Sequence, residues 1–197
     1  PNASVAQDLE PEYISVDKDG RRAWITLQEN NAVAELDIRH GRITAVHGLG
    51  YKDHSLSGNE LDASDKDNAV NIRNWPIRGL YQPDAISNFK HHGKTYLVTA
   101  NEGDARGYSG YNEEVRLGSA AYLLDPLQFP DAASLKQNAN LGRLTVSKAS
   151  GLNPATGTYQ AIYAFGARSF AIWNSDLKPV YDSGSDFERI SAARLPA

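Results

Sequence analysis

Acidic side chains crowd two stretches of the chain. The first carries Asp53, His54, Glu60, Asp62, Asp65 and Asp67, with Asn59, Asn68 and Asn71 among them. Carboxylate and amide oxygens are hard donors, the kind that calcium and magnesium take. Asp62, Asp65 and Asp67 are spaced like half of a calcium loop. No glycine follows at the sharp-turn position and no glutamate closes the loop, so the stretch is not an EF-hand. The second stretch is Asn101-Glu102-Gly103-Asp104-Ala105-Arg106, just where the apolar run from Tyr96 to Ala100 ends. Carboxylates at a strand end can be held rigidly towards a ligand, so Glu102 and Asp104 join Asp62, Asp65 and Asp67 as candidate metal ligands. The competing readings are a solvated acidic loop for the first stretch and capping of turn amides for Glu102. His54 on its own reads as a surface histidine.

Two arginines accompany these carboxylates. Arg73 opens Arg73-Asn74-Trp75-Pro76-Ile77-Arg78, and Arg106 follows Asp104 by two positions. A guanidinium presents a planar fork of donors that fits phosphate oxygens. Arg73 and Arg106 are therefore candidate phosphate-binding residues. The alternatives are a packed Trp75 with exposed arginines around it, and an Arg106 that pairs with Asp104. No residue stands out as catalytic. Cysteine is absent, which removes thiol nucleophiles, disulfides and zinc-thiolate sites. Ser183-Gly184 lacks the G-x-S-x-G elbow, and neither a P-loop nor a G-x-G-x-x-G run occurs.

The elements that must position these side chains read as strands. Tyr13 to Val16 and Ala23 to Leu27 flank Asp17-Lys18-Asp19-Gly20, and Asp-Gly between strand formers marks a hairpin. Ala34, Leu36 and Ile38 then alternate with polar residues, and a turn at His40-Gly41 leads into Arg42 to Val46. The pattern recurs near residue 93: Trp24-Ile25-Thr26 corresponds to Leu97-Val98-Thr99, and Gln28-Glu29 to Asn101-Glu102. A weaker third copy runs from Ala161 to Asn174. Repeated four-strand units predict an all-β protein, a partial β-propeller of about three blade-like repeats with long inserted loops. The loops are residues 50–82 and 103–142, the latter with a short helical stretch near Asp131 to Gln137. Gly166 reads as a bulge, and His91-His92 as an exposed hairpin turn. No linker composition divides the chain, so residues 1–197 read as a single domain. Three blades cannot close a ring, which makes that domain part of a larger propeller whose open edges would favour association.

Composition narrows the partners. The 197 residues carry 20 Lys and Arg against 24 Asp and Glu, a net charge of −4. A nucleic-acid binder carries a basic surplus, and this chain does not. No apolar run approaches the roughly 20 residues of a membrane span. Pro1-Asn2-Ala3-Ser4 has neither the charged nor the apolar segment of a signal peptide.

Several longer motifs carry a resemblance. They are Leu27-Gln28-Glu29-Asn30-Asn31-Ala32, Leu49-Gly50-Tyr51-Lys52-Asp53-His54, Leu61-Asp62-Ala63-Ser64-Asp65-Lys66-Asp67 and Asn71-Ile72-Arg73-Asn74-Trp75-Pro76. Further on come Thr99-Ala100-Asn101-Glu102-Gly103-Asp104-Ala105-Arg106, Phe165-Gly166-Ala167-Arg168-Ser169-Phe170 and Asp182-Ser183-Gly184-Ser185-Asp186-Phe187-Glu188. In this order they resemble the choice-of-anchor I family of bacterial secreted proteins, relatives of the mesenchyme-specific cell-surface glycoproteins linked to biomineralisation. The resemblance implies a secreted, periplasmic or surface-anchored β-propeller, and members often bear an alkaline-phosphatase label. Two functions follow as expectations. One is a calcium-dependent phosphoester hydrolase acting on a phosphorylated small molecule, in which the metal polarises phosphate and activates water. The other is a non-catalytic surface module that uses calcium to stabilise loops and binds a polymer, mineral or partner.

Overall fold

A computed structural model describes residues 4–195 of the chain. Pro1 to Ala3, which open the stretch read as lacking a signal-peptide pattern, lie outside the described residues. The protein is predominantly β. Its strands are β1 (Pro11–Val16), β2 (Arg22–Leu27), β3 (Ala32–Asp37), β4 (Arg42–Gly48), β5 (Tyr51–Asp53), β6 (Leu61–Asp62), β7 (Ile72–Arg73), β8 (Arg78–Leu80), β9 (Ala85–His91) and β10 (Lys94–Asn101). They continue with β11 (Gly107–Tyr108), β12 (Tyr111–Asn112), β13 (Glu114–Arg116), β14 (Thr145–Ser147), β15 (Leu152–Asn153), β16 (Thr158–Tyr159), β17 (Tyr163–Ala164), β18 (Ser169–Asn174) and β19 (Pro179–Asp182). Three helices join them: α1 (Val5–Asp8), α2 (Ala132–Leu135) and α3 (Asp186–Arg194). The chain weaves through two compact units. Unit 1 takes residues 1–51, 80–104 and 166–183; unit 2 takes 52–79, 105–165 and 184–197.

Unit 1 contains two four-stranded antiparallel sheets. In the first, β1 to β4 pair in chain order. The expected hairpin is in place: Gly20 sits at φ +65, where glycine has no steric penalty, and its N–H donates to the Asp17 carbonyl at 2.8 Å. The register sets Ile14 opposite Ile25 and Ile25 opposite Ala34. Trp24 and Val33 therefore point to the other face, since side chains alternate along a strand. The second sheet runs in the order β19-β18-β10-β9. Trp24 and Val33 of the first sheet share a buried cluster with Ile86, Leu97, Ala171 and Trp173 of the second, joined by Leu49 and Leu177. Burying each such side chain contributes about 1.5–3 kcal/mol, which is what holds the two faces together.

The second sheet corrects the repeat count. The run from Ser169 to Asn174 is not part of a third blade-like unit. As β18 it pairs along its whole length with β10, from Tyr96 opposite Asn174 to Asn101 opposite Ser169. The run is nonetheless a strand of the same kind as β3, because β18 occupies in its sheet the third place that β3 holds in the first. What sequence spacing could not show is that the chain leaves this sheet after Asn101 and returns at Ser169. Gly166 is no bulge either. It lies at φ +77, and a Cβ there would stand 1.9 Å from the Glu102 carbonyl oxygen. Only glycine admits that approach.

Unit 2 is built on a mixed five-stranded sheet, β13-β14-β17-β8-β5, in which β17 and β8 run parallel. Its core includes Leu61, Trp75, Ile77, Leu117, Tyr122, Leu141, Val146 and Ile162. The stretches expected as polar loops thus supply much of this core. Their strands are two or three residues long, too short for alternation to register. The expected helix is a single turn, Ala132–Leu135, which buries Leu135. His91 and His92 are exposed at the β9–β10 turn, as expected.

Candidate functional site

Asp62, Asp65, Asp67 and Arg73 belong to one hairpin, β6–β7, which sets Leu61 opposite Arg73 and Asp62 opposite Ile72. Asp62 Oδ2 accepts from the Asn71 N–H at 3.3 Å, and Asp67 Oδ1 from the Ala69 N–H at 3.3 Å. The other oxygens, Asp62 Oδ1 and Asp67 Oδ2, are buried without a hydrogen-bond partner. A buried polar oxygen left unpaired is costly, which makes these two the atoms of the loop most in need of a donor or a cation. Asp65 differs. Arg143 grips it with both arms, Nε to Oδ1 at 2.6 Å and Nη2 to Oδ2 at 3.0 Å. That pairing holds the Asp65 carboxyl below its usual range.

The two arginines also have partners in unit 2. The Arg73 guanidinium carbon lies 3.7 Å from the ring centroid of Trp75, and its Nη2 donates to Asn140 Oδ1 at 2.9 Å. Trp75 is 3% exposed and its Nε1 donates to the Leu61 carbonyl. This is the packed tryptophan of the alternative reading, with an exposed arginine laid across it. Arg106 pairs with Glu113: its Nη1 is 3.5 Å from Glu113 Oε2, and its N–H donates to the same oxygen at 3.3 Å. Glu113 was not singled out from the sequence, although a carboxylate seven positions from Arg106 across Gly107 and Gly110 was there to be noticed.

Glu102 and Asp104 belong to unit 1, whereas the other candidates belong to unit 2. Both are exposed just past the end of β10. The Asp104 carbonyl accepts from Gln82 Nε2 at 2.6 Å, and Gln82 Oε1 accepts from the Gly166 N–H at 3.2 Å. The repeat counterpart of Glu102, Glu29, lies in the turn that follows β2. Burial pushes its carboxyl up, and the charges of Glu10, Glu12 and Asp104 add to the effect. Its Oε2 is buried and unpartnered. Among the described residues no three or more histidine, aspartate or glutamate side chains are grouped so as to hold a metal ion.

Two buried arrangements were missed in the sequence. His54 is not a surface residue: it is 2% exposed, and its Nδ1 lies 2.7 Å from the Asn59 carbonyl oxygen. Its backbone N–H donates to Ile77, which draws the ring inward. Unit 1 holds a one-directional hydrogen-bond chain. Trp173 Nε1 donates to Thr99 Oγ1 at 2.9 Å, Thr99 to Asn101 Oδ1 at 2.8 Å, Asn101 Nδ2 to Ser169 Oγ at 3.1 Å, and Ser169 to Asp182 Oδ2 at 2.7 Å. It links β10, β18 and β19. Tyr81 packs edge-on against Trp173 with ring centroids 5.0 Å apart, and burial pushes its hydroxyl up to about 12 with help from the Asp182 charge.

The profile of the choice-of-anchor I domain matches residues 1–197. The chain belongs to the choice-of-anchor I family. Membership places it among secreted or cell-surface proteins. A curated relative, Gigasin-3a of Magallana gigas, is 38% identical over 64 residues, which cover 32% of this chain and 22% of that protein. The chain thus spans about a fifth of the relative it matches. No solved structure matches the chain. No helix among the described residues is long and apolar enough to cross a membrane.

Proposed function

We propose that this choice-of-anchor I chain is a non-catalytic binding module of a secreted or surface-anchored protein, built as part of a β-propeller. The two stacked four-stranded antiparallel sheets of unit 1 support the propeller reading, because each resembles one blade packed on the next. One observation carries the functional reading: the groups that phosphate chemistry would need are already engaged within the fold. Asp65 is held by Arg143, Arg106 by Glu113, and Arg73 by Trp75 and Asn140. An arginine that orients phosphate must offer its donors outward, and here Arg73 Nη2 and Arg106 Nη1 are turned to partners in the protein itself.

Calcium enters as a stabiliser of the β6–β7 loop. The unpaired Asp62 Oδ1 and Asp67 Oδ2 fit a hard cation, while Asp65 is committed to Arg143. Bound there, calcium would neutralise two desolvated carboxylates. The ligand of the module is a surface polymer rather than a phosphorylated small molecule.

The arginines test this reading. Arg106→Ala takes the guanidinium away from the buried Glu113 carboxylate, so it should lower the melting temperature while phosphoester turnover stays at background. Turnover in the parent that drops in Arg106→Ala at unchanged melting temperature would overturn the proposal.

A further inference from the structure

Unit 2 contains a cleft of about 180 Å³. Its polar lining is Asp53, Ser55, Arg78, Gln128 and Gln160, and its floor includes the buried Phe129. None of these side chains except Asp53 and Arg78 figured among the acidic and basic motifs of the sequence, and none belongs to the candidate metal or phosphate set.

We infer that this cleft binds a neutral polyhydroxylated ring, one sugar unit of a surface polysaccharide, deepening the reading of the chain as a binding module. The first argument is charge. One carboxylate and one guanidinium face the same space, so an anion meets Asp53 and a cation meets Arg78. Asp53 is held ionised: the Ser55 hydroxyl, at 2.6 Å from Oδ1, lowers its pKa, and the nearby Arg78 charge acts in the same direction. Arg78 is positioned by the parallel pairing of β8 with β17, and its Nη1 donates to the Tyr163 hydroxyl at 2.9 Å. The second argument is donor and acceptor balance. Vicinal hydroxyls each donate and accept, and the groups that match them are planar and bidentate: a carboxylate, a guanidinium and primary amides. Gln128 and Gln160 supply the amides from exposed positions at the mouth. The Gln128 side chain has no protein partner among the described residues, and Gln160 Nε2 makes only a 3.5 Å contact with Asp125 Oδ2. The third argument is size. Pockets for drug-sized ligands run to about 300–1,000 Å³, so a smaller cleft takes a single ring, and a longer chain must leave through the mouth.

The experiment is saturation-transfer NMR and calorimetry on the protein with the methyl pyranosides of glucose, galactose and N-acetylglucosamine and their short oligomers. Glycine and inorganic phosphate serve as the zwitterionic and anionic probes. At least one neutral sugar should bind, and Gln128→Ala should weaken it roughly tenfold, as expected for one lost hydrogen bond to a ligand. Asp53→Asn should weaken it too, and the exposed Gln128→Ala should melt at the parent temperature. Absence of any sugar binding overturns the inference, as does sugar binding indifferent to Gln128→Ala, or binding of glycine or phosphate alone. Each of those failures leaves the non-catalytic reading in place unless phosphoester turnover is also found, and turnover is what overturns that reading.

Discussion

Glu29 is the residue whose environment departs furthest from what a surface carboxylate needs. It sits in the turn two residues past β2, its Oε2 has no partner, and three other acidic side chains raise the cost of its charge. A carboxyl whose pKa is raised by folding binds more protons in the native state than in the unfolded one. It therefore costs stability above the native pKa, and that cost fades as pH falls through the native value towards the ordinary 4.5. Glu29→Gln should raise the melting temperature at pH 7, and the gain should shrink as the buffer approaches pH 4.5. An unchanged melting temperature at pH 7 would mean that the carboxylate is compensated. At this scale the sequence was partly legible. It marked Glu29 as the counterpart of Glu102 through the repeat, and Asp62, Asp67, Arg73 and Arg106 through their types. It could not show that Arg143 closes on Asp65 from 78 positions away, because a pairing of that range leaves no local pattern.

The elements repeat this division. β1 to β4 were readable because each is long enough to alternate and each turn carries its own punctuation. β18 was readable as a strand and misplaced as a partner, since antiparallel pairing with β10 depends on where the chain returns. The one-directional chain from Trp173 to Asp182 ties that long-range pairing together. Cutting it in the middle leaves donors and acceptors of a buried network unmatched, and each such group costs about 1–3 kcal/mol. Ser169→Ala should accordingly lower stability by about 1–3 kcal/mol in urea unfolding. A loss within a few tenths of the parent would show that water or a rearranged Asn101 replaces the hydroxyl. In unit 2 the strands β6, β7, β11 and β12 have two residues each, so composition made the region look like loop while Trp75 and Leu61 were already bound for a core.

For the molecule as a whole, family membership points to a secreted or surface protein and the sheets to a β fold; the proposed reading assigns the internal pairing of its charged groups to a binding module. Calcium belongs to this scale, because loop stabilisation is read in the melting of the protein. Calcium, but not magnesium, should raise the melting temperature, and Asp62→Asn combined with Asp67→Asn should remove the rise by supplying neutral amides in place of two carboxylates that each have one unpaired oxygen. Equal response of parent and variant would detach the ion from this loop. The measurement that bears most directly on the central claim is phosphoester hydrolysis by the purified protein, assayed with calcium and with EDTA against a panel of aryl and alkyl phosphates. A rate indistinguishable from buffer under both conditions is the predicted result. A calcium-dependent rate that EDTA abolishes, and that Asp65→Ala or Glu102→Ala removes from a folded protein, would contradict it.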